Sequence, residues 1–389
     1  MIVTSGRLAR HLRRSLRMSK QLMTSREARP RTREQTEARP LVGRAPGGAF
    51  RRWHERTRER AALSCAIAWS LWSCVPSYKR CPDIPPALTA AAPAQLSETG
   101  LYADIAAGVL AEGVVPYKPR YELWSDGATK QRWISLPQGA QINSDDMDAW
   151  QFPQGTKLWK EFAVEGARVE TRLLEKVGPR PEDWLAIAYV WDARGRDARA
   201  TPEGQLKARG TQHEVPKAKD CAGCHAGTKS YVLGFSAIQL AHVTPPPATS
   251  ISVAQLTEAG RLTTIPTGSL ALPGDALTQQ ALGYMHANCA HCHNQHRPAS
   301  AELRCFDPKK EFDLSLRTDQ LASPADTPTY KTAIGEVIDP GDPESSALYK
   351  RTRGDLPFFQ SRMPSLTTHA LDPQVLPLLH AWITALPGR

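Results

Sequence analysis

The sequence predicts an α+β chain of several domains, a β-sandwich or jelly-roll-like N-terminal domain followed by a mainly α-helical region. Three observations carry this. Six of the ten tryptophans lie between Trp124 and Trp191, among short apolar runs punctuated by Gly and Pro. From Val215 the pattern changes to a helical, loop-rich one, and the chain ends in an amphipathic stripe. With 389 residues, 41% of them hydrophobic and 23% charged, the chain can bury a sizeable core.

Residues 1–60 form a basic leader of disordered composition, with 17 Lys and Arg against 5 Asp and Glu. The rest of the chain holds 32 basic and 34 acidic residues, so the net charge of +10 belongs to the leader. A nucleic-acid groove needs cations spread over a folded face, and the near-neutral remainder argues against one. Arg51, Arg52, Arg56, Arg58 and Arg60 run into the uncharged segment 61–75, AALSCAIAWSLWSCV. That segment is short for a membrane span, which needs ~20 residues, and has the layout of a secretory signal. Cys74, in Leu-Trp-Ser-Cys, is the candidate lipid-attachment residue, although Trp72 is bulkier than a lipoprotein box prefers. Residues 76–99 read as a Pro/Ala-rich linker. An exported, periplasmic chain is expected, with Cys74 as the site of an outer-membrane anchor.

Residues 100–215 form the tryptophan-rich β domain. Strands are expected over Lys157–Phe162, Ala167–Leu173 and Trp184–Trp191, with turns at 153–156 and 177–180. The tryptophans serve either as core or as a surface for a carbohydrate or peptide. Residues 216–275 and 276–389 are each organised around a cysteine pair. A helix is expected over Asp275–Asn288, with Leu277, Ala281, Met285 and Cys289 at four-residue spacing. A strand is expected at Phe312–Arg317 and a terminal helix over Asp372–Leu386. There Asp372 is the N-cap, Pro373 follows, and Val375, Leu379, Trp382 and Leu386 form the apolar stripe. Pro377 should distort the second turn of that helix.

Four of the eight cysteines fall into two identical patterns, Cys221-Ala-Gly-Cys224-His225 and Cys289-Ala-His-Cys292-His293. C-x-x-C-H is the attachment signature of c-type haem. Two thiols one helical turn apart reach the two vinyl groups on one porphyrin edge, and the following His supplies the proximal nitrogen to iron. A zinc shared by both pairs would leave the two histidines without a reason. A thioredoxin-like dithiol would want one motif within a βαβ pattern, which is absent. Two covalently attached c-type haems follow, with His225 and His293 as proximal iron ligands.

Beyond the leader the methionines are Met147, Met285 and Met363. Met363 precedes a proline, which biases it to extended backbone, and it is the expected distal ligand of the second haem. For the first haem the candidates are His213, His242, Met285, His286 or an open position. Cys81 and Cys305 remain as a candidate disulfide in an oxidising compartment.

Several segments resemble an uncharacterised family of exported bacterial diheme c-type cytochromes. They are Asn288-Cys-Ala-His-Cys-His-Asn294, Pro340-Gly-Asp-Pro-Glu-Ser-Ser-Ala-Leu-Tyr-Lys-Arg351, Arg362-Met-Pro364 and the Trp382-Ile383 helix. Upstream, Tyr121-Glu-Leu-Trp-Ser-Asp126, Pro153–Lys160 and Glu170–Leu174 are similar to that family's N-terminal β region. The resemblance covers about residues 98–389. It implies a cytochrome c-like haem region, electron transfer to a periplasmic redox protein, and Met363 as the second haem's distal ligand. Two other functions fit the residues. One is a peroxidase-like enzyme with an open iron site on the first haem. The other is a tryptophan-rich binding module with accessory haems.

Overall fold

A computed structural model describes residues 92–242, 250–295, 312–355, 362–364 and 368–388. The leader, the 61–75 segment, most of the linker, and the candidate Cys81–Cys305 pair lie outside the described residues. Among the described residues no helix is long and apolar enough to cross a membrane.

The chain is α+β. A short ribbon pairs β1 (Tyr102–Asp104) with β2 (Val109–Leu110). Six strands then form one antiparallel sheet in sequence order: β3 (Val114–Pro116), β4 (Thr129–Ser135), β5 (Lys157–Val164), β6 (Ala167–Lys176), β7 (Trp184–Trp191) and β8 (Ala198–Ala200). The three expected strands are β5, β6 and β7. The β5–β6 hairpin turns on Glu165 and Gly166, both at positive φ (51° and 80°), the geometry of a two-residue turn that follows the sheet's twist.

A sandwich or jelly roll was expected, and the described residues form a single meander instead. Each hairpin adds to the same sheet, and the turn at 96–99 and the small β1–β2 ribbon, rather than a second large sheet, supply the covering layer. One face carries Trp133, Trp159, Leu173, Ile187 and Trp191, buried under Leu96, Leu101 and Tyr102. The opposite face is apolar at one end, where Ile134, Leu158, Leu174 and Trp184 pack with Tyr117, Trp150 and Phe235. Trp133, Trp150, Trp159, Trp184 and Trp191 are thus core, leaving no exposed aromatic surface among those five.

Seven helices follow: α1 (Cys221–His225), α2 (Ala237–Leu240), α3 (Val253–Glu258), α4 (Ala276–Asn288), α5 (Pro328–Thr332), α6 (Ala347–Arg353) and α7 (Val375–Ala385), counted among the described residues. The Asp275 side chain caps α4 by accepting from the Thr278 amide at 2.8 Å. Ala281, Leu282 and Met285 of α4 pack against Val375, Leu379, Trp382 and Ile383 of α7, which places the terminal helix across α4.

Two expectations are corrected. Helix α7 begins at Val375, so Pro377 is its third residue, where the missing N–H has no intrahelical acceptor to lose; Asp372 instead accepts from the Gln374 amide. Phe312–Arg317 is extended but pairs with no strand among the described residues. The Leu314 amide donates to the His293 carbonyl (2.9 Å) and that of Leu316 to His286 Nδ1 (3.1 Å), so the end of α4 takes the bonds a sheet would have used.

Candidate functional site

The first motif forms helix α1, which sets its two thiols about one turn apart as haem attachment requires. The second follows the end of α4, and its backbone completes one further turn, the His293 amide donating to the Cys289 carbonyl at 2.9 Å. The two motifs touch. Asn294 Nδ2 donates to the Gly227 carbonyl at 2.8 Å, and Gly227 lies so close to the His291 carbonyl that a Cβ there would overlap it. Gly227→Ala is therefore expected to destabilise the protein by about 1–3 kcal/mol, read as a lowered urea midpoint. An unchanged midpoint would show that the motifs can part without cost.

Cys221, Cys224 and His225 line one cavity of about 740 Å3 together with Cys289, Cys292 and His293. Met363 lines it too. That size falls within the ~300–1,000 Å3 of ligand and cofactor pockets. His225 Nδ1 is bonded to the Tyr231 carbonyl at 2.7 Å, which orients the ring and leaves Nε2 as the donor for a metal. Burial, with smaller contributions from the Lys160 and Arg172 charges, pushes His225 down to about 4, so its imidazole is neutral at physiological pH, the ligating form. The His293 ring stacks on Phe312 at 4.6 Å between centroids.

Among the described residues no disulfide joins Cys221, Cys224, Cys289 or Cys292. Burial pushes Cys221 up to about 11 and Cys289 up to about 12, and it also raises Cys224. Among the described residues no three or more His, Cys, Asp and Glu side chains converge as a metal site. A haem asks the chain only for thiols at one edge and axial donors, and the residues present fit that demand.

The sheet contributes charges that the sequence reading missed. Arg132, Lys160 and Arg172 stand opposite one another on β4, β5 and β6, a row of three cations; Lys160 and Arg172 line the cavity. Glu122 pairs with Arg132 at 3.1 Å and Glu170 with Arg172 at 2.7 Å. Glu170 is fully buried and also bonds His213 Nε2 at 2.7 Å. Burial alone would raise the Glu170 carboxyl, but the Arg172 charge and the bonds from His213 and Arg172 outweigh it and hold the group below the ordinary carboxylate value.

Met363 is held from two sides. Its amide donates to the Arg351 carbonyl at 2.9 Å. Further along, the His369 and Ala370 amides donate to the Asp126 carboxylate, and Trp124 Nε1 donates to the Ala370 carbonyl. Asn288 ties this clamp to α4, accepting from the Trp124 amide at 2.7 Å and donating to the Glu122 and Tyr284 carbonyls. The Tyr121 ring lies over Gly283, where a Cβ would collide with it. The segment 121–126 thus joins α4 to the stretch that follows Met363.

Of the distal candidates for the first haem, His213 lines the cavity but is engaged by Glu170. Met285 is fully buried in the α4–α7 core, and His286 Nδ1 accepts from the Leu316 amide. His242 also lies outside the cavity lining, with Nε2 buried. His291 and Lys160, which the sequence did not single out, do line the cavity. A histidine inside the second motif was a visible signal for the former; nothing in the one-dimensional pattern marked the latter. The chain matches no known protein-family model, no curated protein and no solved structure at a significant level.

Proposed function

We propose that this chain is an exported diheme c-type cytochrome that passes electrons between two covalently attached haems and a periplasmic redox partner. Its 276–389 region is read as cytochrome c-like, and Cys74 as the residue for an outer-membrane lipid anchor. The observation that carries the reading is the convergence of both C-x-x-C-H motifs and Met363 on one cavity. Covalently bound haem supplies a one-electron iron centre whose potential depends on its axial ligands. The chain's own residues supply the rest. Cys221 and Cys224 provide the thiols for one attachment, Cys289 and Cys292 those for the other. Tyr231 fixes the His225 ring and Phe312 the His293 ring.

The contact between Gly227 and the second motif keeps the two attachment points at a fixed separation, which favours electron exchange within the chain over independent carriers. Expression in a host that attaches haem to exported apoproteins tests the reading: a pyridine haemochrome assay is expected to give two haems per chain. Colourless exported protein with four free thiols contradicts it.

A thioether ligand raises the reduction potential relative to a second imidazole. Met363→His is therefore expected to lower the potential of one haem by on the order of 0.1 V, within the ~0.8 V that axial ligation spans. Spectroelectrochemical titration reads this directly. Two unshifted potentials would remove Met363 from the ligand set.

A further inference from the structure

A second donor to the first haem would have to come from the cavity lining, where four further side chains carry a nitrogen suited to iron: Lys160, His213, His291 and His369. His213 Nε2 is engaged by Glu170 at 2.7 Å, and His369 Nε2 is engaged by Glu214. His291 is buried and lies inside the second motif, between Cys289 and Cys292, with its backbone packed against Gly227. Lys160 comes from the sheet, on β5, and also lines the cavity. It stands at the centre of the sheet face, in register between Arg132 and Arg172 and beside Leu158 and Leu174 of the apolar core.

Its electrostatic position is unlike that of its neighbours. Arg132 has Glu122 and Arg172 has Glu170, whereas Lys160 makes no ion pair among the described residues and rests its amine 5.0 Å from the Phe162 ring centroid. Burial, then the charges of Arg132, Arg172 and Lys130, hold the amine well below the ordinary lysine value, against the one opposing charge of Glu170. An ammonium between two guanidinium groups and without a counterion is costly. A neutral amine in the same place has a lone pair to give.

We propose that the Lys160 amine, which lines the same cavity as His225, is the distal ligand of the first haem. This rests on the diheme reading. In forming the bond the ammonium releases one proton to water and its freed lone pair is shared with iron; no electron changes hands. The second haem keeps His293 and Met363, so the two centres would carry different donors and different potentials.

The test uses the mature, haem-loaded protein with Lys160→Leu and Lys160→Arg. Leucine removes the amine, and arginine keeps the charge but has no lone pair to offer. Haem content is read first, by pyridine haemochrome. The ferric spin state is then read by electron paramagnetic resonance, and carbon monoxide binding is measured on the reduced protein. The parent is expected to hold two low-spin haems and to bind no carbon monoxide. Each variant is expected to keep two haems, with one turned high-spin and binding one carbon monoxide.

A parent with one high-spin haem overturns the proposal, and so do variants that stay wholly low-spin. Low-spin behaviour restored by arginine overturns it too, because charge rather than ligation would then be at work. Should the variants not accumulate, near-infrared magnetic circular dichroism of the parent decides. One histidine–amine centre and one histidine–methionine centre are expected, and a histidine–histidine centre overturns the assignment. A parent without haem would sink the diheme reading itself, and the haem count separates that failure from the others.

Discussion

Replacing Cys289 and Cys292 together by serine is expected to leave one covalent haem per chain where the parent carries two. Serine hydroxyls do not form the thioethers that hold a c-type haem. His293 and Met363 would then be left to bind the cofactor by coordination alone, in a cavity shared with the first motif. The fold should tolerate the change. Ala281, Leu282 and Met285 carry the α4–α7 core; Cys289 packs against its edge, where a near-isosteric serine fits, and both cysteines border the cavity. Denaturing mass spectrometry and the pyridine haemochrome assay read the loss directly, and Cys221→Ser with Cys224→Ser should give the mirror result. Each double variant is expected to lose half the haem absorbance. Two haems surviving in either variant would mean that its thiols are not the attachment points.

The cysteine pattern was legible because haem attachment is a local demand. Two thiols and an imidazole within five residues can be read without knowing the fold. The same holds for β5, β6 and β7, short apolar runs bounded by Gly and Pro turns, and for α4, whose Asp275 cap and four-residue stripe are short-range. Legibility failed wherever the determinant lay far away in sequence. Phe312–Arg317 has strand-like residues, yet its amides are taken by His286 and His293. The sandwich expectation failed for a related reason: Leu96, Leu101 and Tyr102 cover the tryptophan face, and no second run of alternating residues is needed. Nothing in the run Lys157–Val164 singles out Lys160. Only cross-strand register shows that it is flanked by Arg132 and Arg172 and turned toward the first motif. The bonds of Asn288 and Asp126 were hidden likewise, since the segments they join are separated by more than 150 positions.

Glu170→Gln is expected to destabilise the protein at pH 7 by about 3 kcal/mol. Glutamine nearly matches the side chain in volume, so packing changes little. What disappears is the negative charge that faces Arg172 at 2.7 Å and receives His213 at 2.7 Å in a fully buried position. Arg172, already in a row with Lys160 and Arg132, would then lack a counterion. The pH dependence has a definite sign. Arg172 and His213 hold the Glu170 carboxyl below its ordinary value, against the opposing effect of burial. Its stabilising contribution is therefore complete above the unfolded carboxylate value of about 4.3, and it is lost as pH falls through the lower folded value. Urea unfolding of parent and variant, matched for haem content, should show a wide gap in midpoint at neutral pH that closes progressively in acid. A gap that stays constant down to strongly acid pH would assign the loss to packing rather than to the carboxylate's charge. No gap at all would show that Arg172 finds another partner and that the buried triad does not hold the sheet's cavity face in place.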